Sequence, residues 1–215
     1  MSRLMLALLA LLCANVALAQ PAAYATREQA LRDLSAPGAT QRAGAVLWIA
    51  EHGTQADGAA LARRLADNNP QVREITEQAL WRLWFRSDDD EIDLLMQRGA
   101  VQMQARQLNE AIATYSEVIR RKPEFAEGWN RRATALFVSG DYAKSLADCD
   151  AVIKRNPQHF GALAGYGHVY FALERYDEAI AWWRRALAVN PNMAGVLASI
   201  EGAEKLLAER RKRMI

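Results

Sequence analysis

The chain has 215 residues, 51% of them hydrophobic, with 27 Lys+Arg against 25 Asp+Glu and a formal net charge of +2. This near balance does not point to nucleic-acid binding, which would need a basic stripe. The length allows one elongated unit or two small globular ones.

Residues 1–19 read as a secretory leader. Arg3 supplies the positive start, Leu4 to Leu12 is an unbroken apolar run, and Ala17-Leu18-Ala19 offers small residues where a signal peptidase cuts. The apolar run is shorter than the roughly 20 residues that a spanning helix needs. Cys13 follows the bulky Leu12, which argues against a lipoprotein signal. Cleavage after Ala19 and a periplasmic location are expected, with no integral membrane span in the remainder. Only Arg3 among the charged residues lies in the leader, so the mature net charge is about +1. Cys149 would then be the sole thiol, and no intramolecular disulfide can form.

Residues 20–87 form the next segment. Leu34 and Leu65 are 31 apart, as are Arg42 and Arg73, and an apolar helical stretch follows each arginine. Asp67-Asn68-Asn69-Pro70-Gln71-Val72-Arg73 joins two predicted helices. This segment resembles the inter-helix turn of HEAT repeats, which implies that Asp67, Val72 and Arg73 support a stacked ladder. The earlier copy departs from the pattern, with Ala36 and Gln41 in place of the Asp and Val. Ser87-Asp88-Asp89-Asp90-Glu91 then reads as a helix cap at the junction of two arrays.

Residues 88–215 carry a repeat of 34. Pro123, Pro157 and Pro191 are spaced by it. Gly99, Ala133 and Gly167 form a small-residue column, and Ala111, Ser145 and Ala179 form another. Tyr115, Cys149 and Trp183 fill a larger apolar position; Leu108, Tyr142 and Tyr176, and Val118, Val152 and Ala186, repeat likewise. The columns predict two helices per unit, approaching closely at the small residues and ended by proline. Ser139-Gly140-Asp141 is the turn inside the middle unit. A hairpin of this kind buries its apolar face only by stacking on its neighbours. Units are expected at 92–121, 126–156 and 160–190, with a solvating helix over 193–213.

These columns and their period resemble the tetratricopeptide repeat family. Leu95 and Cys149 stand where that family prefers an aromatic. The expected architecture is all-α: an α-solenoid of HEAT-like pairs, three such units and a closing helix.

Catalytic or metal chemistry finds little support. His52 reads as a helix end, His159 as part of a linker, and His168 as a first-helix residue, and none has a second ligand at metal spacing. Cys149 reads as a buried small hydrophobe. Gly161, Gly165 and Gly167 lie within a helix and serve close packing or a wider groove. No catalytic residues, metal or cofactor are expected.

The resemblance implies a concave groove lined by the first helices and holding a partner. Met96, Ala100 and Met103 would come from the first unit, Asn130, Thr134 and Phe137 from the second, and Ala164, His168 and Phe171 from the third, with Arg131 on the flank. Phe137 and Phe171 would stand side by side as anchors, and Asn130 would hold a peptide backbone. The Lys, Asn and Arg clamp for a partner's terminal carboxylate is absent, because Met96, Ala100, Gly161 and Gly165 occupy its positions. The expected role is an exported, non-catalytic scaffold or adaptor for a protein or peptide partner. A membrane-tethered assembly factor with an uncut leader, and a regulatory subunit of an enzyme, are the alternatives.

Overall fold

The computed structural model describes residues 24–213, so the leader and its cut site lie outside the described residues. Among the described residues there are eleven α-helices, two short 3-10 turns and no strand.

Four helices make the N-terminal segment: α1 (Arg27–Asp33), α2 (Ala39–His52), α3 (Gly58–Ala62) and α4 (Pro70–Phe85). The Thr26 side chain accepts from the Gln29 amide at the start of α1. The Asn69 side chain accepts from the Gln71 and Val72 amides before α4, and Pro70 at the first helical position forfeits no intrahelical bond. α1 pairs with α2, α3 with α4, and α2 lies along α4. Ala45, Val46, Ile49, Leu61, Leu65, Leu80 and Leu83 form their shared core.

A buried charge pair joins the two helix pairs. Arg42 donates twice to the Asp67 carboxylate, at 2.7 Å each, and also to the Ala36 and Pro37 carbonyls at 2.9 Å. Asp67 also accepts from the Asn69 amide at 2.9 Å, and Arg73 donates to the Asp67 carbonyl at 2.9 Å. The two-pronged geometry and the extra bonds satisfy both charges after they leave water.

Three helical hairpins follow: α5 (Asp90–Gln104) with α6 (Leu108–Arg121), α7 (Ala126–Val138) with α8 (Tyr142–Arg155), and α9 (Phe160–Ala172) with α10 (Tyr176–Val189). α11 (Ala194–Arg213) packs on α10 and closes the row. The acidic junction caps α5 through the Asp89 side chain, which accepts from the Glu91 and Ile92 amides.

The turn inside each hairpin is the same motif. Arg106, Gly140 and Glu174, 34 residues apart, have φ of 57°, 84° and 57°. At each turn the following amide reaches back five residues: Gln107 to Gln102, Asp141 to Leu136, and Arg175 to Tyr170, all at 2.9 Å. This is a left-handed helix stop that satisfies the last free carbonyls. Only the middle copy uses glycine, so the other two are invisible to a search for glycine turns.

The small and large columns are coupled across each hairpin. A Cβ on Gly99 would overlap the Tyr115 ring, and one on Gly167 would overlap the Trp183 indole. In the middle hairpin Ala133 carries a Cβ, and the residue beside it is the smaller Cys149. The departure at Cys149 is therefore compensated by the alanine at its partner position.

The hairpin array also closes back on the N-terminal segment. Phe160 belongs to the core of that segment, and Val189 and Met193 pack against it. The Asn192 side chain donates to the Leu65 carbonyl at 2.8 Å and accepts from Arg73 Nε at 3.0 Å.

Candidate partner-binding face

α7 and α9 lie side by side, and each packs one side on its own second helix. Their remaining face begins with Glu127, Asn130 and Arg131 on α7 and Gly161, Ala164 and Gly165 on α9. The structure does not leave this end open, because α4 packs against it. A Cβ on Gly161 would overlap the Trp81 ring. Trp84 stacks on His159 with ring centroids 4.4 Å apart, and both tryptophans flank Phe160. The Arg131 guanidinium lies 5.2 Å from the Phe85 ring centroid and 6.0 Å from that of Trp81. Cation–π attraction therefore holds the end of α4 to α7.

A buried polar cluster lies beneath this contact. His159 Nε2 and Glu127 Oε2 are 2.9 Å apart, and both side chains are fully buried. His159 Nδ1 accepts from the Ala162 amide at 3.1 Å, which makes it the cap of α9. An Nδ1 that accepts leaves Nε2 as the nitrogen that donates to Glu127. Arg131 and Asn130 also donate to the Glu127 carboxylate, at 2.5 and 3.0 Å. Burial raises the pKa of Glu127, but the His159 hydrogen bond and the Arg131 charge outweigh it and hold the carboxyl below its usual range.

Several expected groove residues change role as a result. Met96 is fully buried in a cluster with Ile92 and Tyr115, and Phe85 packs against that cluster, so Met96 is core and not groove lining. Asn130 is buried with its amide committed to Glu127, and cannot hold a peptide backbone. Ala164 is buried in the third hairpin. Arg131 faces α4 instead of flanking an open groove. His159 is a buried helix cap, not a linker residue. Gly161 provides close packing, as its helical setting predicts, but the helix it admits comes from the N-terminal segment.

The other end of the same face is open. Met103, Phe137 and Phe171, near the ends of α5, α7 and α9, are half-buried, as is Ala100; Thr134 and His168 are exposed. Phe137 and Phe171 do not form the expected pair. Phe137 leans on Tyr142 at 5.8 Å and lies 6.5 Å from His168, while Phe171 leans on Tyr176 at 5.4 Å and Trp183 at 5.7 Å. Desolvation lowers the pKa of His168, which disfavours its charged form. Met103, Thr134, Phe137, His168 and Phe171 thus make an uncharged strip.

Cys149 is buried, and burial pushes its thiol up to about 12, aided by Asp148 and Asp150. A thiol of that kind is a poor nucleophile. Among the described residues no three His, Cys, Asp or Glu side chains are grouped to hold a metal ion.

Comparison with known proteins places the repeat in a family context. The model described as "Tetratricopeptide repeat" matches residues 96–159 and 131–194. A TPR repeat-containing protein of Rhizobium etli is 36% identical over 50% of this chain and 53% of its own length. Hsp70-Hsp90 organizing protein 1 of Glycine max is 30% identical over 42% of this chain and 16% of its own. The chain thus spans about half the length of the first relative and less of the second. The first TPR of Spaghetti (RPAP3), solved bound to an HSP90 peptide, superposes with a TM-score of 0.53 at 24% identity, covering 55% of this chain and 94% of that one. MamA superposes with a TM-score of 0.52 at 18% identity, covering 72% and 86%. These likenesses show the fold.

Proposed function

We propose that this chain, which carries tetratricopeptide repeats across residues 96–194, is an exported, non-catalytic scaffold that holds a short uncharged segment of a partner protein. The observation that carries this reading is the strip of Met103, Thr134, Phe137, His168 and Phe171, left open beside the end that α4 covers. A row of apolar and neutral side chains on a repeat surface favours a partner segment over water. Relatives with this fold include one solved with a peptide.

Export rests on the order of Arg3, the leucine-rich run and Ala17-Leu18-Ala19. Among the described residues no helix is long and apolar enough to cross a membrane. The N-terminal helix pairs are read as HEAT-like; the Arg42–Asp67 bridge between successive pairs supports this. They act as a fixed wall of the binding face.

Panning a library of random heptapeptides on the purified protein tests the partner class. Uncharged, apolar sequences should be enriched. The Phe137→Ala/Phe171→Ala variant should keep its helical circular dichroism and lose at least tenfold in affinity, because aromatic anchors carry about 2 kcal/mol. Enrichment of acidic peptides, or full affinity in the folded variant, would overturn the proposal.

A further inference from the structure

A second concavity lies away from that strip. It has a volume of about 680 Å³ and opens between the N-terminal segment and the turns that join the hairpins. Ala56, Ala59 and Trp84 form one wall, Phe125 and Ala126 another, and Lys122 and Arg155 stand at the turns.

Unused donors of three kinds line this cleft. The first is the start of α7. Phe125 precedes the helix and gives no side-chain cap. The Ala126 amide, at the cleft wall, has no intrahelical acceptor and finds none elsewhere among the described residues. The second is Trp84, whose side chain is almost wholly buried. A Cβ built on Gly58, which also lines the cleft, would meet the Trp84 indole Nε1 at 3.3 Å, and this N–H has no acceptor among the described residues. The third is Arg155. Its Nε and Nη1 donate to the Pro123 and Ala151 carbonyls at 2.6 and 2.7 Å, and Nη2 is left over. Lys122 adds positive charge while donating to the Ser87 carbonyl.

We propose that this cleft binds the C-terminal carboxylate of a peptide that ends in an apolar residue. A helix start with free amides attracts an anion, and the indole N–H adds a directed donor. The alanine, phenylalanine and tryptophan walls accept the apolar side chain. Asp88 and Glu124 also line the cleft and offset the charges of Lys122 and Arg155, so a singly charged group fits better than a phosphate. None of the residues of the uncharged strip takes part.

The probe is N-acetyl-Leu-Phe with a free carboxylate, set against its C-terminal amide. The readout is the indole N–H resonance of Trp84 in 15N-tryptophan-labelled protein, assigned with Trp84→Phe. The acid should shift this resonance in a saturable way, and the amide should not. Ala126→Pro removes one amide at a helix position that tolerates proline, after a residue already extended at φ −76° and ψ 100°. It should melt like the parent and bind the acid about tenfold more weakly, the loss expected for a hydrogen bond to a charged group. No acid-dependent shift, an equal shift with the amide, or unchanged affinity in Ala126→Pro would overturn the proposal. The Phe137→Ala/Phe171→Ala variant should show the parent's shift, which separates this cleft from the strip.

Discussion

Trp81 fills the volume that a side chain at Gly161 would need. The two residues are 80 positions apart in the sequence, yet each explains the other. The glycine lets α4 lie against α9, and the tryptophan gives α4 a reason to lie there. Half of the face on which a partner was expected is thereby occupied by the chain itself.

Gly161→Val should therefore lift α4 from the array. Overpacking typically costs about 1–3 kcal/mol. Thermal melts should shift down, and tryptophan emission should move to the red as Trp81 meets water. Unchanged melting and emission would mean that α4 is not seated on Gly161.

The coupled columns make a paired prediction. Gly167→Ala should destabilise, because its Cβ overlaps Trp183. Combining it with Trp183→Cys copies the Ala133 and Cys149 pair of the middle hairpin. Contacting sites are non-additive, and the double variant should fall short of the summed single losses by about 1 kcal/mol. Chemical denaturation of the four proteins measures this coupling.

The turns give a stabilising change. Arg106 and Glu174 hold left-handed φ values of 57° without being glycine. Arg106→Gly and Glu174→Gly should each stabilise by up to about 1 kcal/mol, since a side chain in that region is strained. Denaturant midpoints should rise, and a fall in both would contradict the turn geometry.

Acid stability follows from Glu127. Its folded pKa lies below the ordinary glutamate value. A depressed carboxylate contributes stability above its unfolded pKa, and that contribution is lost as pH falls through the folded value. Melting temperature should therefore drop below pH 4.5, and the drop should be shallower in Glu127→Gln. Asp67, lowered chiefly by its hydrogen bond from Arg42, acts in the same direction and should keep some slope in the variant. Melts from pH 3 to 6 on both proteins decide the matter.

The hairpins were legible because their signal repeats. Gly99, Ala133 and Gly167 recur at the 34-residue period, and each lies on the first helix of its hairpin. The Arg42–Asp67 bridge was half legible: the turn around Asp67 stood out, but its partner sits in the copy that departs from the pattern. The seating of α4 was not legible, because Trp81 on Gly161 and His159 on Glu127 are single long-range contacts with no period to reveal them. One clue was present. Trp81, Trp84 and Phe85 crowd the end of α4 with more aromatic surface than α2 alone can cover, as on a helix buried on two sides. The misplacement of Met96 and Asn130 follows from that one missed contact.

The link from Asn192 to Leu65 and Arg73 bears on how the chain is made. A row of hairpins can fold one unit at a time as it leaves the ribosome. Here the first helices to emerge find their final contacts only after residue 192 has been synthesised. Until then the start of α4 lacks its tie to the far end of the array, while its aromatic end gains its cover earlier, as residues 131–161 follow. Nascent chains halted before and after Asn192 should differ sharply in protease resistance of the N-terminal helices, with the gain appearing only in the longer one.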